Sequence, residues 1–165
     1  MPGREFDHID FIVCQWRHER PELETSALAL LGRLFRAAHL ADLALAKGMA
    51  AHGLQPGWFN LLAALRRAGP PYELRPTDLM EATMVSSGGI TKRLDRLVEA
   101  GFVERRLDPD DRRSSLVRLT RQGRAVFDRA LETHLASEER LLRTLDRSAR
   151  RTLDELLHRL LVELE

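Results

Sequence analysis

Between Ser86 and Arg124 ten basic side chains (Lys92, Arg93, Arg96, Arg105, Arg106, Arg112, Arg113, Arg118, Arg121, Arg124) stand against six acidic ones (Asp95, Glu99, Glu104, Asp108, Asp110, Asp111). The local excess of four contrasts with a formal net charge of +1 for the whole chain. Cations gathered in this way suit the binding of phosphate oxygens, and hence of nucleic acid. A solvated charged face is the plainer explanation of charge alone, so the decision rests on what positions these groups. Other chemistries lack their signatures. The six histidines (His8, His18, His39, His52, His134, His158) are scattered, without the HExxH spacing or an acidic cluster of a metal site. There is no G-x-S-x-G, P-loop or dinucleotide fingerprint. The carboxylate pairs Glu138-Glu139 and Asp110-Asp111 fall on an expected exposed helix and an expected turn, where solvation accounts for them. Neither an enzyme nor a metal or cofactor is expected.

The elements that must carry the cations can be read from periodicity. Ser86 or Ser87 can cap a helix that closes at Gly101. Within it Ile90, Leu94, Leu97 and Val98 recur at spacings of three and four and form an apolar stripe. At about 100° per residue, Lys92, Asp95, Arg96 and Glu99 lie opposite that stripe, with Thr91 on one flank and Arg93 on the other. The pair Gly88-Gly89 costs helix propensity, roughly 1 kcal/mol for each glycine, and permits close approach to a large partner. After Gly101 the period changes to two. Val103, Arg105 and Leu107 alternate with Phe102, Glu104 and Arg106, and Ser115, Val117 and Leu119 with Leu116 and Arg118, which predicts two antiparallel strands. The turn Asp108-Pro109-Asp110-Asp111-Arg112-Arg113-Ser114 between them carries two arginines at its tip. A helix suited to the major groove beside an arginine-tipped hairpin suited to the minor groove is a nucleic-acid-binding arrangement.

The rest of the chain reads as mainly α. With 165 residues, 44% of them apolar and 31% charged, it suits one domain with appended helices. No apolar run approaches the roughly 18 residues of a membrane span and no signal peptide is evident, so a cytoplasmic location is expected. One cysteine excludes an intrachain disulfide framework. Asp7 can cap a helix over residues 7 to 19, with Ile9, Ile12, Val13 and Trp16 as its stripe and Trp16 as its anchor. A longer helix starts at Thr25 or Ser26 and runs to about His52, ended by Gly53. Pro56 is placed to open the next, which ends at Gly69-Pro70-Pro71. Tyr72-Glu73-Leu74 can add a third strand, and Pro76 starts the first helix of a helix-turn-helix that closes at Gly101. Thr120 caps a helix expected to reach about Leu145, and Asp146 caps a last one whose Leu153, Leu156, Leu157, Leu160, Leu161 and Leu164 form a leucine face. The expected organisation is an N-terminal helix with a first dimerisation helix over 1–53, a winged helix-turn-helix domain over 54–120, and C-terminal dimerisation helices over 121–165. A homodimer would match a palindromic site on double-stranded DNA.

The stretch from Ser86 to Gly123, above all Asp108-Pro109-Asp110-Asp111-Arg112-Arg113 followed by Val117-Arg118-Leu119-Thr120, resembles the recognition helix and wing of the MarR family of winged helix-turn-helix regulators, and the likeness extends over residues 26 to 164. The resemblance implies a ligand-responsive transcriptional repressor. It gives Ser87, Thr91, Lys92 and Arg96 the major groove and nearby phosphates, Arg113 the minor groove, and Arg112 and Asp111 supporting places at the wing tip. At residue 75, where the family often has a capping serine or threonine, this chain has arginine, so a looser first turn is expected there. The N-terminal helix with Gln15-Trp16-Arg17 resembles that of the family's urate-responsive subgroup, which implies a ligand site of Trp16, Arg93 and Arg105. The subgroup's aspartate is Asn60 here. An amide carries no charge, which counts against urate itself, and a small aromatic or purine-like anion is implied as effector; the alternative for Arg93 and Arg105 is structural ion pairing. Two other functions compete with this one: redox sensing through Cys14, for which the tyrosine-rich surroundings of such sensors are lacking, and a winged-helix protein-assembly module without DNA, against which the basic recognition face speaks.

Overall fold

The structure, a computed structural model, describes residues 5–83, 87–109 and 115–165. It divides into two compact units, 1–44 and 45–165, with the division inside the second helix.

In the first unit α1 (His8–Glu19) follows Asp7, whose Oδ1 accepts the N–H groups of Ile9 and Asp10 at 2.8 and 2.9 Å. Asp10 returns the contact by accepting the Asp7 N–H at 3.1 Å, completing a capping box. Ile9 and Val13 are buried, and in α2 (Ser26–Ala50) the absence of a side chain at Gly32 admits Ile9. The Arg33 guanidinium on α2 donates to Asp7 at 2.7 Å and also pairs with Asp10. Trp16, expected as the anchor of α1, is instead 43% exposed. Ile9, Val13 and the Arg33 pairs hold this helix, because an apolar core contact and two charged caps are already available one turn into it. At the start of α2 the Glu24 carboxylate accepts the Ser26 N–H at 2.7 Å, which lowers its pKa.

The second unit is built around α3 (Trp58–Arg67), whose Leu61, Leu62 and Leu65 are completely buried. Fully burying a leucine contributes about 1.5–3 kcal/mol, so this helix is the centre of the core. Its start differs from the expectation: Pro56 precedes the helix, and Gly57, with φ 81°, occupies the cap position. Leu79 of α4 (Pro76–Thr83), Ile90, Leu94 and Leu97 of α5 (Ser87–Glu99), and Val103 and Val117 of the sheet close over α3. Val98, assigned to the α5 stripe, is 37% exposed and marks its edge.

Strands β1 (Glu73–Leu74), β2 (Val103–Leu107) and β3 (Ser115–Leu119) form an antiparallel sheet in the order β1-β3-β2. Val103 pairs with Leu119, Arg105 with Val117 and Leu107 with Ser115, so the expected alternation sets the register. Its inward row fades along the ribbon: Val103 is buried, whereas Leu107 is 75% exposed because the strand has run past the core. The third strand from Tyr72-Glu73-Leu74 is present, with Glu73 opposite Arg118 and Leu74 opposite Val117.

Helix α6 (Arg121–Leu141) is capped by Thr120, whose hydroxyl accepts the Gly123 N–H at 2.9 Å and donates to the Gly101 carbonyl at 2.7 Å. A Cβ at residue 123 would stand 1.9 Å from the Phe102 carbonyl oxygen, so only glycine fits. The helix ends at Leu141 and not near Leu145. Leu142 and Leu145 continue its apolar spacing into a turn, which explains the overrun. Asp146 then caps α7 (Arg147–Leu164) by accepting the Ala149 N–H at 2.8 Å, and none of the α7 side chains is buried. No helix among the described residues is long and apolar enough to cross a membrane.

Candidate nucleic-acid interface

The α5 helix is held by one face and free on the other. Ile90, Leu94 and Leu97 sink into the core, which leaves Thr91, Lys92 and Arg96 exposed on the opposite side. These three predicted residues are therefore brought together within two turns of one rigid element. Ser87 begins this helix, while Ser86 and the tip residues Asp111, Arg112 and Arg113 lie outside the described residues. The exposed face carries Asp95 as well as the cations, and Arg105 on β2 donates to Asp95 Oδ1 at 2.7 Å. That ion pair fastens the wing strand to the helix, with both partners partly in solvent.

Two contacts that periodicity could not reveal hold the helix to the segment before α3. Arg96 donates to the Gln55 side-chain oxygen at 3.4 Å. The Arg93 guanidinium lies flat beside Gly57, so close that a Cβ at residue 57 would be 3.0 Å from its central carbon. Arg93 is half-buried, as its place on the flank of the stripe implies. Asn60 is exposed on α3 and borders a shallow depression of about 210 Å³ with Arg67, Ala82 and Thr83. Trp16 belongs to the other compact unit and is half exposed, as is Arg105. Cys14 is exposed and reduced. No cluster of metal-ligating side chains occurs among the described residues.

The side-chain cap expected to be lost at the start of α4 is absent, because residue 75 is arginine. Arg75 lacks an acceptor to cap it, yet its backbone carbonyl accepts the Leu79 N–H at 3.0 Å and its guanidinium binds Asp108 at the end of β2. Nothing in local periodicity signals this pair, because its members are 33 residues apart.

The sequence pattern of the MarR family matches residues 52–114, the stretch that contains α3 to β2. A transcriptional regulator from Dickeya dadantii, PecS, is 39% identical over 81% of this chain and 81% of its own length. The chain belongs to the MarR family. The transcriptional repressor YetL of Bacillus subtilis is 31% identical over 69% of the chain and 68% of its own length. Among solved structures, a cysteine-to-serine mutant of MarR from E. coli complexed with operator DNA superposes with a TM-score of 0.74 at 28% identity, covering 85% of this chain and 99% of that one. This MarR-family protein is thus a winged-helix transcriptional regulator and not an enzyme, and its α4–α5 pair and β2–β3 ribbon are the helix-turn-helix and wing of that fold.

Proposed function

We propose that this regulator binds a palindromic site on double-stranded DNA as a homodimer and represses transcription until a small aromatic or heteroaromatic anion releases it. The observation that carries the reading is the two-sidedness of α5. A helix anchored through Ile90, Leu94 and Leu97 presents Thr91, Lys92 and Arg96 to solvent from a fixed backbone, as insertion into a major groove requires. Ser87 joins them at the helix start, and Arg113, flanked by Arg112 and Asp111, enters the minor groove from the wing tip. Phosphate contacts supply salt-dependent affinity, and base contacts supply choice of sequence.

The partner copy is inferred from apolar surface. Leu153, Leu156, Leu160, Leu161 and Leu164 of α7 are exposed, as separately are Leu28, Leu31 and Phe35 of α2. Contiguous apolar faces of this kind mark association surfaces. For the effector, Arg93 and Arg105 are the cations proposed to receive its charge, Trp16 supplies an indole for stacking, and Asn60 supplies an uncharged amide. Asp95 already holds Arg105, so an anionic ligand must compete with that carboxylate.

The test is anisotropy titration of a labelled duplex, recovered by the protein from a random-sequence pool, at several salt concentrations. Lys92→Ala or Arg96→Ala each lowers the salt slope by about one, and Arg113→Ala weakens binding at least about tenfold with the dimer intact. Binding that ignores salt, or failure to enrich any duplex, would leave a protein-assembly module as the remaining role. A thermal-shift series of purines and aromatic acids tests the effector, since a ligand of the native state raises its melting temperature. A shift that disappears in Arg93→Ala assigns the cation, whereas an unresponsive wild type removes the effector.

A further inference from the structure

Asp108 is the sole charged side chain fully buried among the described residues, at 3% exposure. It stands at the tip end of β2, one residue beyond the Leu107–Ser115 pair, where the turn of the wing begins. A carboxylate withdrawn from water needs a charged or hydrogen-bonding partner, and Arg75 supplies one: its Nε and Nη2 lie 2.9 and 2.8 Å from Asp108 Oδ2. The topology gives the contact its meaning. Both β1 and β2 run antiparallel to β3, and Leu74 and Arg105 both pair with Val117, so the outer strands end on the same side of the sheet. Arg75 follows β1 and Asp108 follows β2. Their ion pair therefore spans the two strand spacings, each about 4.8 Å, that separate the outer strands, and ties the tip end of β2 to the residue that precedes α4.

The local price of this arrangement is visible. Asp7, Thr120 and Asp146 each offer a side-chain oxygen to the helix that follows them. Arg75 occupies the equivalent place before α4, with its carbonyl bonded to Leu79 N–H, but a guanidinium has donors only and cannot cap. A serine or threonine there would serve α4 better and leave Asp108 without this arginine.

We propose that Arg75 is a positioning residue for the wing: through Asp108 it sets the direction in which the β2–β3 ribbon projects from the helix-turn-helix, and so whether helix and wing engage DNA together. The proposal rests on the reading that the wing enters the minor groove.

Dimethyl sulfate protection separates the two grooves, because it methylates guanine N7 in the major groove and adenine N3 in the minor groove. The probe is the duplex recovered by the wild-type protein. Arg75→Ser restores a cap to α4 while releasing the tip end of β2. At saturating protein it is expected to keep guanine protection, lose adenine protection, bind about tenfold more weakly, and retain its melting temperature. Arg75→Lys, which keeps the charge but not the planar fork, recovers part of the adenine protection. If the single variant fails to fold, the double variant Arg75→Ser with Asp108→Asn removes the carboxylate as well and gives the same selective loss. Full adenine protection in these variants overturns the proposal, as does loss of both protections in step with the melting temperature. A wild type that protects guanine but no adenine overturns the minor-groove reading itself, and this inference with it.

Discussion

Single atoms decide more here than composition would suggest. Gly123 is required by the Phe102 carbonyl, 1.9 Å from where a Cβ would stand. Gly123→Ala is expected to cost at least about 2 kcal/mol through forced overpacking, read as a lower urea midpoint; an unchanged midpoint would mean that α6 shifts freely. Asp7 gives a pH dependence of definite sign. Its hydrogen bond from Arg33, followed by the Asp10 N–H, lowers its pKa from 3.8 to about 2. A carboxyl depressed by folding contributes fully above its unfolded pKa and loses that contribution as pH falls through the folded value. The attachment of α1 to α2 therefore weakens between about pH 4 and pH 2, and Asp7→Asn flattens the pH dependence of amide exchange in α1 over that window. The Asp7, Thr120 and Asp146 caps were legible in the sequence because each cap and its helix are contiguous. Arg75–Asp108 was not, since a pairing across 33 residues depends on the sheet that brings its ends together.

At the scale of elements, the helices and strands of the winged domain follow from periodicity, and the errors fall where periodicity outlasts the structure or packing overrides it. Leu142 and Leu145 extend the α6 pattern beyond its end at Leu141. Pro56 resembles a first-turn proline, yet the backbone turns through Gly57 at φ 81° before α3 begins. This glycine is both a left-handed residue and the floor beneath Arg93. Gly57→Ala is expected to destabilise by about 1–2 kcal/mol from backbone strain alone. It also displaces Arg93, which nuclear magnetic resonance would register as a changed Arg93 side-chain environment; an unperturbed resonance would refute the contact. The exposed face of α5 was readable because its apolar stripe is regular. The contacts of Arg93 and Arg96 with residues 55–57 were not, because they join segments with no shared period.

For the molecule as a whole, an α7 without one buried side chain sits badly with an isolated subunit. Leu156→Glu with Leu160→Glu places charge on that face and is expected to give a monomer by sedimentation, with operator affinity reduced by at least about tenfold as the second half-site is lost. A dimer that survives both changes would move the association surface elsewhere. The junction at Thr120 adds a mechanical corollary. One hydroxyl closes the start of α6 and grips the Gly101 carbonyl just after α5, while the following turn rests directly on the Phe102 backbone. These contacts join the long C-terminal shaft to the reading head at its base and couple the tilt of α6 to that of α5; in the homodimer proposed above, the angle of the two shafts would govern the distance between their reading heads.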